Sequence, residues 1–252
     1  MGTEFIRLDR VREAMRLVGE VRELGLWTEA GRTHFLEGTM RMIGCTIGGA
    51  VLDTKYAEGS TNGIVAATLA GFGPNIMDVF VAHQIHGSAI NPFHSAVLRR
   101  VDELQGQVFS AHDTEMVERQ VWDGSRWINE YVRPAHVAHF LCSMRVIGRT
   151  TGTGCAFMRA ARDRPFSDED RELLHLVHVG VGPMYDACSP RTRLSPRMRE
   201  TLDVLLTGAS DKEIAAQLRL SSHTVRQYVK AIFKAFNVNS RAQLIARTGC
   251  HS

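Results

Sequence analysis

The sequence has little of what membrane, secreted and catalytic proteins depend on. Charged residues or His interrupt every apolar run before the roughly 18 residues of a transmembrane helix, so we expect no membrane partner. The first residues form a charged amphipathic pattern and not a signal peptide, which favours a cytoplasmic location. Five cysteines, at positions 45, 142, 155, 188 and 250, include no CxxC spacing, as expected of free thiols in a reducing compartment.

Motifs of known enzyme chemistry are also missing. The sequence has no nucleophile elbow and no glycine-rich phosphate loop, so we expect no enzyme and no catalytic residues. Asp53 follows an apolar run, but the other acidic residues and the β-α alternation of a phosphorylated receiver domain are not recognisable. Three His-x-x-His pairs occur, at His83/His86, His136/His139 and His175/His178. No cysteine or acidic cluster completes a metal site around them in the sequence, so we predict neither a metal nor a cofactor.

The C-terminal residues 195–252 contain a helix with two different faces. Four apolar residues fall within about 60° on a helical wheel and predict a buried seam: Val225, Val229, Ile232 and Phe236. A separate arc, about 100° wide, carries Arg226, Gln227, Lys230 and Lys234. Arg, Lys and Gln are side chains that bind base edges and phosphates in a major groove, so this face is typical of a DNA-reading helix.

The residues around this helix predict three partner helices. Ser195 begins a first helix that ends at Gly208, and Ser210 caps a second helix over residues 211–218. After a three-residue turn, Ser221 or Ser222 caps the third helix, and a fourth covers residues 242–247. A short turn between two small helices, the second of them basic, is the plan of a helix-turn-helix.

The segment resembles the helix-turn-helix domain of the LuxR/GerE family of bacterial transcription regulators. The match runs without a gap over Leu194-Ser195-Pro196-Arg197, Glu200, Leu202, Leu205, Gly208, Ser210, Lys212-Glu213-Ile214-Ala215, Leu218, Leu220-Ser221, Thr224-Val225-Arg226, Val229, Ile232, Val238, Ser240-Arg241 and Leu244. Met198, Ala235 and Asn237 depart from the family pattern, but none of them lies on the polar face. The resemblance implies a sequence-specific transcriptional regulator.

The resemblance also implies double-stranded DNA as the partner. The side chains expected to reach base edges are Arg226, Gln227 and Lys230. Those expected to hold phosphates are Lys212, Ser222, Thr224, Lys234 and Arg241. Residues 195–252 carry nine Lys and Arg against four Asp and Glu, whereas the whole chain has a net charge of only +3. The positive charge is therefore concentrated at the end that would meet a polyanion.

Useful sequence specificity normally needs two half-sites, so we expect a homodimer. The candidate contacts are Leu244 and Ile245 of the fourth helix and the first helix of the chain, although Leu244 and Ile245 could instead close the core of the small domain. RNA polymerase is a further candidate partner.

Residues 1–187 are long enough for a second, α+β domain with its own core. Apolar periodicity predicts helices at 4–24, 33–43, 74–85, 93–101, 114–132 and 169–185, and Gly124 is expected to break the fifth of them. Antiparallel strands are expected at 45–52, 63–72, 136–147 and 154–161. This order is similar to a GAF- or PAS-like sensor domain. The stretches 122–134 and 162–171 are similar to the sensor half found upstream of LuxR-type domains in many actinobacterial and proteobacterial regulators. The resemblance implies a sheet covered by helices on one face, with a small cavity between them.

The signal that such a domain would receive is left open by the sequence, and no ligand-binding residues are assigned. Asn91-Pro92 resembles the Asp-Pro of acyl-homoserine lactone sensors but is more typical of a simple turn. An effector could act on the DNA-binding domain through helix 169–185 and a short linker, residues 188–194. Alternatively, residues 1–187 form a ligand-free interaction or dimerisation module, and DNA binding is constitutive.

Overall fold

The protein separates into two compact units, Met1–Tyr185 and Asp186–Ser252. The computed structural model describes residues 6–26, 28–53, 64–100, 103–104, 106–147, 151–188, 194–236 and 238–248. Among these residues, no helix is long and apolar enough to cross a membrane. The predicted linker falls largely outside the described residues. Leu194, at its end, is buried in the core of the second unit.

The first unit combines helices with one antiparallel sheet, as the sequence predicts. Its helices are α1 (Leu8–Leu24), α2 (Glu29–Ile43), α3 (Pro74–His86), α4 (Pro92–Arg99), α5 (Asp113–Met116), α6 (Arg119–Gly124) and α7 (Asp168–Cys188). A 3-10 turn, Gly87–Ala89, follows α3, and a π-helix covers Ile128–Val132. The strands are β1 (Ile47–Asp53), β2 (Ile64–Ala70), β3 (Val108–His112), β4 (Val137–Ile147) and β5 (Thr151–Ala160).

The five strands lie in the order β2-β1-β5-β4-β3, and each neighbouring pair is antiparallel. This arrangement confirms the antiparallel sheet and the pairing of the four predicted strands. The narrower assignment to a GAF- or PAS-like type stays a prediction.

Helices cover both faces of the sheet, whereas the sequence led us to expect one covered face. Successive residues of a strand point to opposite faces. Leu141 of β4 and Phe157 of β5 pack in a core with residues of α1, α2 and α7. Their neighbours Phe140 and Met158 pack in a second core with residues of α3, α4, α6 and the π-helix. The one-face expectation is wrong because both sides of β4 and β5 are apolar, and each side needs a cover.

A buried ion pair fixes the start of α7 against β5. Ser167 and Asp170 form reciprocal hydrogen bonds at the helix N-terminus, with Ser167 N–H donating to Asp170 Oδ2 at 3.0 Å. The guanidinium of Arg159 lies 3.2 Å from the same carboxylate, and that of Arg164 lies 2.9 Å away. Arg159 also donates to the backbone carbonyls of Gly44 and Ile43 at the end of α2. One charged cluster thus ties α2, β5 and α7 together.

Helix α1 is confirmed, but its buried face only partly matches the stripe that apolar periodicity predicts, which is Phe5, Leu8, Val11, Met15, Val18 and Leu24. Val18 is buried, whereas Leu8 and Met15 are 62% and 57% exposed, and Ala14, Leu17 and Val21 are buried against the core in their place. The stripe was misassigned because alanine counts little in a search for large apolar residues, yet Ala14 faces the core directly.

The stretch from 108 to 132 contains the largest departure from the predicted elements. The sequence predicts a helical stretch at 114–132 with a break at Gly124, and the structure has α5, α6 and the π-helix there. The break at Gly124 is confirmed, because α6 ends at that residue. Strand β3 is not predicted at all. Only Ala111 of its five residues is buried, so the strand has no apolar alternation, and its pairing with β4 is what holds it in place.

The second unit is the expected four-helix bundle of α8 (Pro196–Leu206), α9 (Asp211–Leu218), α10 (Ser222–Ala235) and α11 (Arg241–Thr248). Its core gathers residues from every helix, including Leu202, Leu205, Ile214, Ile232 and Leu244. Gly208 follows α8 with φ +89°, a conformation that glycine adopts without strain.

Candidate functional site

Helices α9 and α10 form the predicted helix-turn-helix. Ser210 accepts a hydrogen bond from Glu213 N–H, and the Glu213 side chain accepts one from Ser210 N–H, which completes a capping box on α9. Arg219 ends α9 in the left-handed region, with φ +53°. Ser221 then caps α10 by accepting from Thr224 N–H at 3.0 Å. This settles the choice between Ser221 and Ser222 as the cap and leaves Ser222 exposed.

The apolar seam of α10 lies in the core, as predicted. Val225 and Ile232 are fully buried, Phe236 is 8% exposed, and Val229 packs at the edge of the same cluster. Since the seam fixes the rotation of α10 about its axis, it also decides which side chains face outward.

The opposite face of α10 presents to solvent the predicted base-reading residues and the predicted phosphate contact Lys234. Arg226, Gln227, Lys230 and Lys234 are all exposed. Within the described part of the chain, none of their three cationic side chains has an acidic partner. His223 was missed by the sequence reasoning. It is exposed one turn before Gln227, and Nε2 of its ring lies 3.5 Å from the Gln227 amide nitrogen. The i,i+4 spacing from Gln227 was the signal that could have found it.

The residues predicted to contact phosphates differ in their exposure and in their hydrogen-bond partners. Lys212 and Ser222 are exposed, whereas Thr224 is half-buried and shares a hydrogen bond of 2.8 Å with the Ser221 hydroxyl. Arg241 pairs with Asp211 at 2.9 Å and also donates to the Ala209 carbonyl. Part of the Arg241 guanidinium therefore holds α11 against the start of α9.

The candidate dimer contacts in α11 differ from the expectation. Leu244 is fully buried in the core of the helical unit, so it serves that core and not a second chain. The Ile245 side chain lies outside the described part of the structure. On α1, the outward Leu8 and Met15 stay exposed apolar residues.

A cavity of about 160 Å³ lies inside the first unit, between the α3–α4 side of the sheet and the helices that cover it. Six aromatic side chains form much of its wall: Phe72, Phe80, Phe93, Trp122, Trp127 and Phe140. Its floor includes Gly49, Gly152 and Gly154, where the strands have no side chain. The resemblance implied a small cavity between the sheet and its helices, but the sequence did not identify the lining, because the aromatic residues come from distant segments and each is typical of an ordinary core.

Asn91 and His83 are neighbouring polar residues in the wall of the cavity. The Asn91 carbonyl oxygen caps α4 by accepting from Phe93 N–H at 3.0 Å and His94 N–H at 3.4 Å. Asn91-Pro92 therefore begins a helix, where the sequence favoured a simple turn. The Asn91 amide nitrogen lies 3.2 Å from Nδ1 of His83. Burial, with a smaller contribution from the neighbouring His94, lowers the pKa of His83 to about 3, so the ring is neutral.

The other His-x-x-His pair on a helix serves a separate polar network on the opposite side of the sheet. His178 of α7 lies 2.7 Å from the Ser143 hydroxyl and 3.3 Å from that of Thr153. His175 contacts Ser110 at 3.2 Å. Burial lowers the pKa of His178 to about 3, with smaller contributions from His175 and Arg145. The His175 and His178 rings both have hydroxyl partners, which accounts for them without a metal.

One group of three potential metal ligands lies close together in the described residues: His112, Glu115 and Asp168. The sequence did not single it out. The Arg171 guanidinium already forms ion pairs with both carboxylates, at 3.1 Å from Asp168. Arg171 therefore already compensates the negative charges of Glu115 and Asp168.

Comparison with known proteins gives a match in the helical unit. Residues 192–248 match the family described as "Bacterial regulatory proteins, luxR family". The chain is 42% identical over 59 residues to a probable HTH-type transcriptional regulator, GfsR, of Streptomyces halstedii, covering 23% of this chain and 24% of that protein. It is 34% identical over 92 residues to the monoamine regulon transcriptional regulator of Klebsiella aerogenes, covering 34% and 40%.

The chain thus spans less than half the length of these relatives, which are transcriptional regulators and not enzymes. This agrees with the missing catalytic motifs. The structure also aligns over 99% of its length with 97% of "SdiA in complex with octanoyl-rac-glycerol", at 17% identity and a TM-score of 0.48, a likeness too weak to assign a function. Over residues 192–248, the helical unit is therefore similar to the luxR family of bacterial regulatory proteins.

Proposed function

We propose that the protein is a sequence-specific DNA-binding transcriptional regulator that places α10 in the major groove of double-stranded DNA. The observation that carries the proposal is the two-faced packing of α10. Its apolar seam is buried, so Arg226, Gln227 and Lys230 project outward together. Arg and Lys donate to guanine, and Gln pairs with adenine, so these three residues would read bases.

Lys212, Ser222, Thr224, Lys234 and Arg241 would hold the phosphate backbone. Such contacts set the register of the helix in the groove but carry no sequence information. The positive charge of residues 195–252 supports this role, because backbone binding depends on cations that displace counterions. The ion pair with Asp211 leaves Arg241 anchored, so its remaining N–H groups would contact a phosphate from a fixed position.

The test begins with selection of binding sites from a random pool of duplex DNA. Wild type, Arg226→Ala and Lys230→Ala are then titrated against the selected site at fixed salt. Loss of a base contact should cost roughly 1–3 kcal/mol and relax the sequence preference. Arg199→Ala is the matched control, since Arg199 is an exposed cation of α8 outside the polar face of α10. Unchanged affinity in both α10 variants would refute the assignment of this face.

The functional form would be a homodimer, because one recognition helix covers about one half-site. The burial of Leu244 moves the candidate contacts to the exposed Leu8 and Met15 on α1. Replacement of both by Lys should yield a monomer in light scattering and weaken binding to a two-half-site operator. A wild-type monomer both with and without the operator would contradict this part of the proposal.

The first unit would act as a sensor of GAF- or PAS-like type, and its cavity supports that interpretation over a ligand-free module. A dimerisation module has no need of a cavity of about 160 Å³ lined by aromatic residues. Native mass spectrometry of the protein isolated from its own host would show a retained effector. In the alternative, DNA binding is constitutive and no compound that fills the cavity changes it.

A further inference from the structure

The polar groups of the cavity indicate what kind of molecule it can hold. The described residues that line it include no Asp, Glu or Lys. Its one permanently charged lining residue is Arg145, whose guanidinium donates to the carbonyls of Gly106 and Gly182. Gly182 belongs to α7, on the opposite side of the sheet. A charged guest would therefore lose its hydration without meeting a counter-charge, which is costly in a buried site.

The hydrogen bonds of Asn91 determine which nitrogen of His83 carries the proton. Because the Asn91 oxygen accepts two backbone N–H groups, its amide nitrogen must be the atom that faces His83. An amide nitrogen only donates, so Nδ1 of His83 accepts and the proton of the neutral ring lies on Nε2. Within the described part of the chain, the Asn91 contact is the hydrogen bond that the His83 ring makes. Nε2–H of His83 therefore remains as a donor in the cavity wall.

We propose that this cavity binds a compact, uncharged aromatic molecule that accepts a hydrogen bond from Nε2–H of His83. Phenols, aryl ketones and small bicyclic aromatics have this chemistry. The inference deepens the proposed sensor role by assigning the class of effector, and it rests on that role for its regulatory meaning. The binding itself does not depend on DNA.

Size and shape both support a single ring or a small fused ring. An engineered cavity of about 150 Å³ in another protein holds benzene, so a cavity of similar volume suits a guest of similar size. The aromatic walls are set at steep angles to each other. Trp122 and Phe140 meet at 76° with centroids 5.8 Å apart, and Trp127 meets His83 at 62° and 5.7 Å. Such walls offer both faces and edges to a flat guest, the geometries that aromatic pairs prefer.

Gly154 provides a way to fill the cavity by mutation. A Cβ at this position would meet Ser143 O at 3.7 Å and Met144 Cβ at 3.8 Å, which are ordinary contact distances. Gly154 lies on the same side of β5 as Met158, so a larger side chain would point into the cavity. Gly154→Val should therefore exclude the guest while β5 is kept. Gly19→Val is the control, because a Cβ on Gly19 of α1 meets nothing within 4 Å.

The experiment uses the full chain and four probes of similar size: acetophenone, ethylbenzene, benzoate and benzylammonium. Binding is measured by isothermal titration calorimetry and by the fluorescence of Trp122 and Trp127, which line the cavity. Acetophenone should bind about 2- to 13-fold more tightly than ethylbenzene, the value of one hydrogen bond. Both charged probes should bind more weakly than ethylbenzene.

His83→Phe keeps a ring in the wall but removes the donor, so acetophenone and ethylbenzene should bind equally. Gly154→Val should abolish binding of both, and Gly19→Val should change neither. If His83→Phe does not fold, the order of affinities of the four probes for the wild type still tests the proposal. A charged probe that binds best, or equal affinities for acetophenone and ethylbenzene, would overturn the proposal.

Binding of the same preparation to its selected DNA site separates the two proposals. Intact DNA binding with the wrong order of probes would overturn the effector class and leave the proposed function standing. The predicted order of probe affinities in a protein that binds no DNA would support the effector class and overturn the proposed function.

Discussion

Replacement of Asp170 by Asn should destabilise the N-terminal unit more than any surface change on the same helix. The Asp170 side chain is 5% exposed and that of Arg159 is 3% exposed, so water screens their interaction weakly. Asp170→Asn removes the negative charge but keeps the shape of the side chain, and it leaves the buried Arg159 cation without its counter-charge. Breaking a buried ion pair in this way costs about 3–5 kcal/mol.

In a domain of this size, such a loss lowers the melting temperature by about 6 to 20 °C. Tryptophan fluorescence reports this transition selectively, because all three tryptophans of the chain lie in residues 1–185. Asp168→Asn is the matched control. It makes the same chemical change two residues earlier in α7, on a side chain that is 57% exposed, and should cost about 0–1 kcal/mol. Equal shifts for the two variants would refute the reasoning that burial gives the Arg159–Asp170 pair its importance.

Three further predictions concern acid stability, helix capping and signal transfer. Burial alone would raise the pKa of Asp170, but the Ser167 N–H and the two arginines hold this pKa below its usual range. The Arg159–Asp170 pair therefore stabilises the fold fully above about pH 4 and loses this contribution as pH falls further. The melting temperature of Asp170→Asn should accordingly fall less steeply with acid than that of the wild type. Ser210→Ala should remove the capping box of α9 and destabilise the helical unit by about 0.5–2 kcal/mol, measured by the denaturation of its helices in far-UV circular dichroism. Insertion of a flexible Gly-Ser segment after Cys188 should leave basal DNA binding intact but abolish its dependence on the effector, and regulation that survives the insertion would show another route of coupling.

The sequence predicted the helical unit almost completely because its signals are local. Caps such as Ser210 and the apolar seam of α10 lie within one or two turns of the structure that they specify. The polar face followed from the same periodicity. The position of Leu244 was left open because an apolar residue on a short helix can serve either a core or a partner.

The resemblance implied a small cavity in the N-terminal unit, but the residues that line it could not be predicted from the sequence. Its walls come from β1, α3, α4, α6, β4 and β5, which only the sheet order brings together. His83 stood out solely as half of a His-x-x-His pair, because its contact with Asn91 depends on the intervening turn Gly87–Ala89. Likewise, β3 depends on its pairing with β4 more than on its own residues.

The most direct test of the central claim, that α10 reads DNA sequence, compares Lys230→Ala with Lys234→Ala on the selected site and on a scrambled duplex over a range of salt concentrations. Lys230→Ala should weaken binding to the selected site by roughly 1–3 kcal/mol and lose most of the preference over the scrambled duplex. Lys234→Ala should weaken both duplexes alike and reduce the slope of log affinity against log salt by about 1. If both variants behaved identically on the two duplexes, α10 would hold DNA only through its charge, and the claim of sequence reading would be wrong.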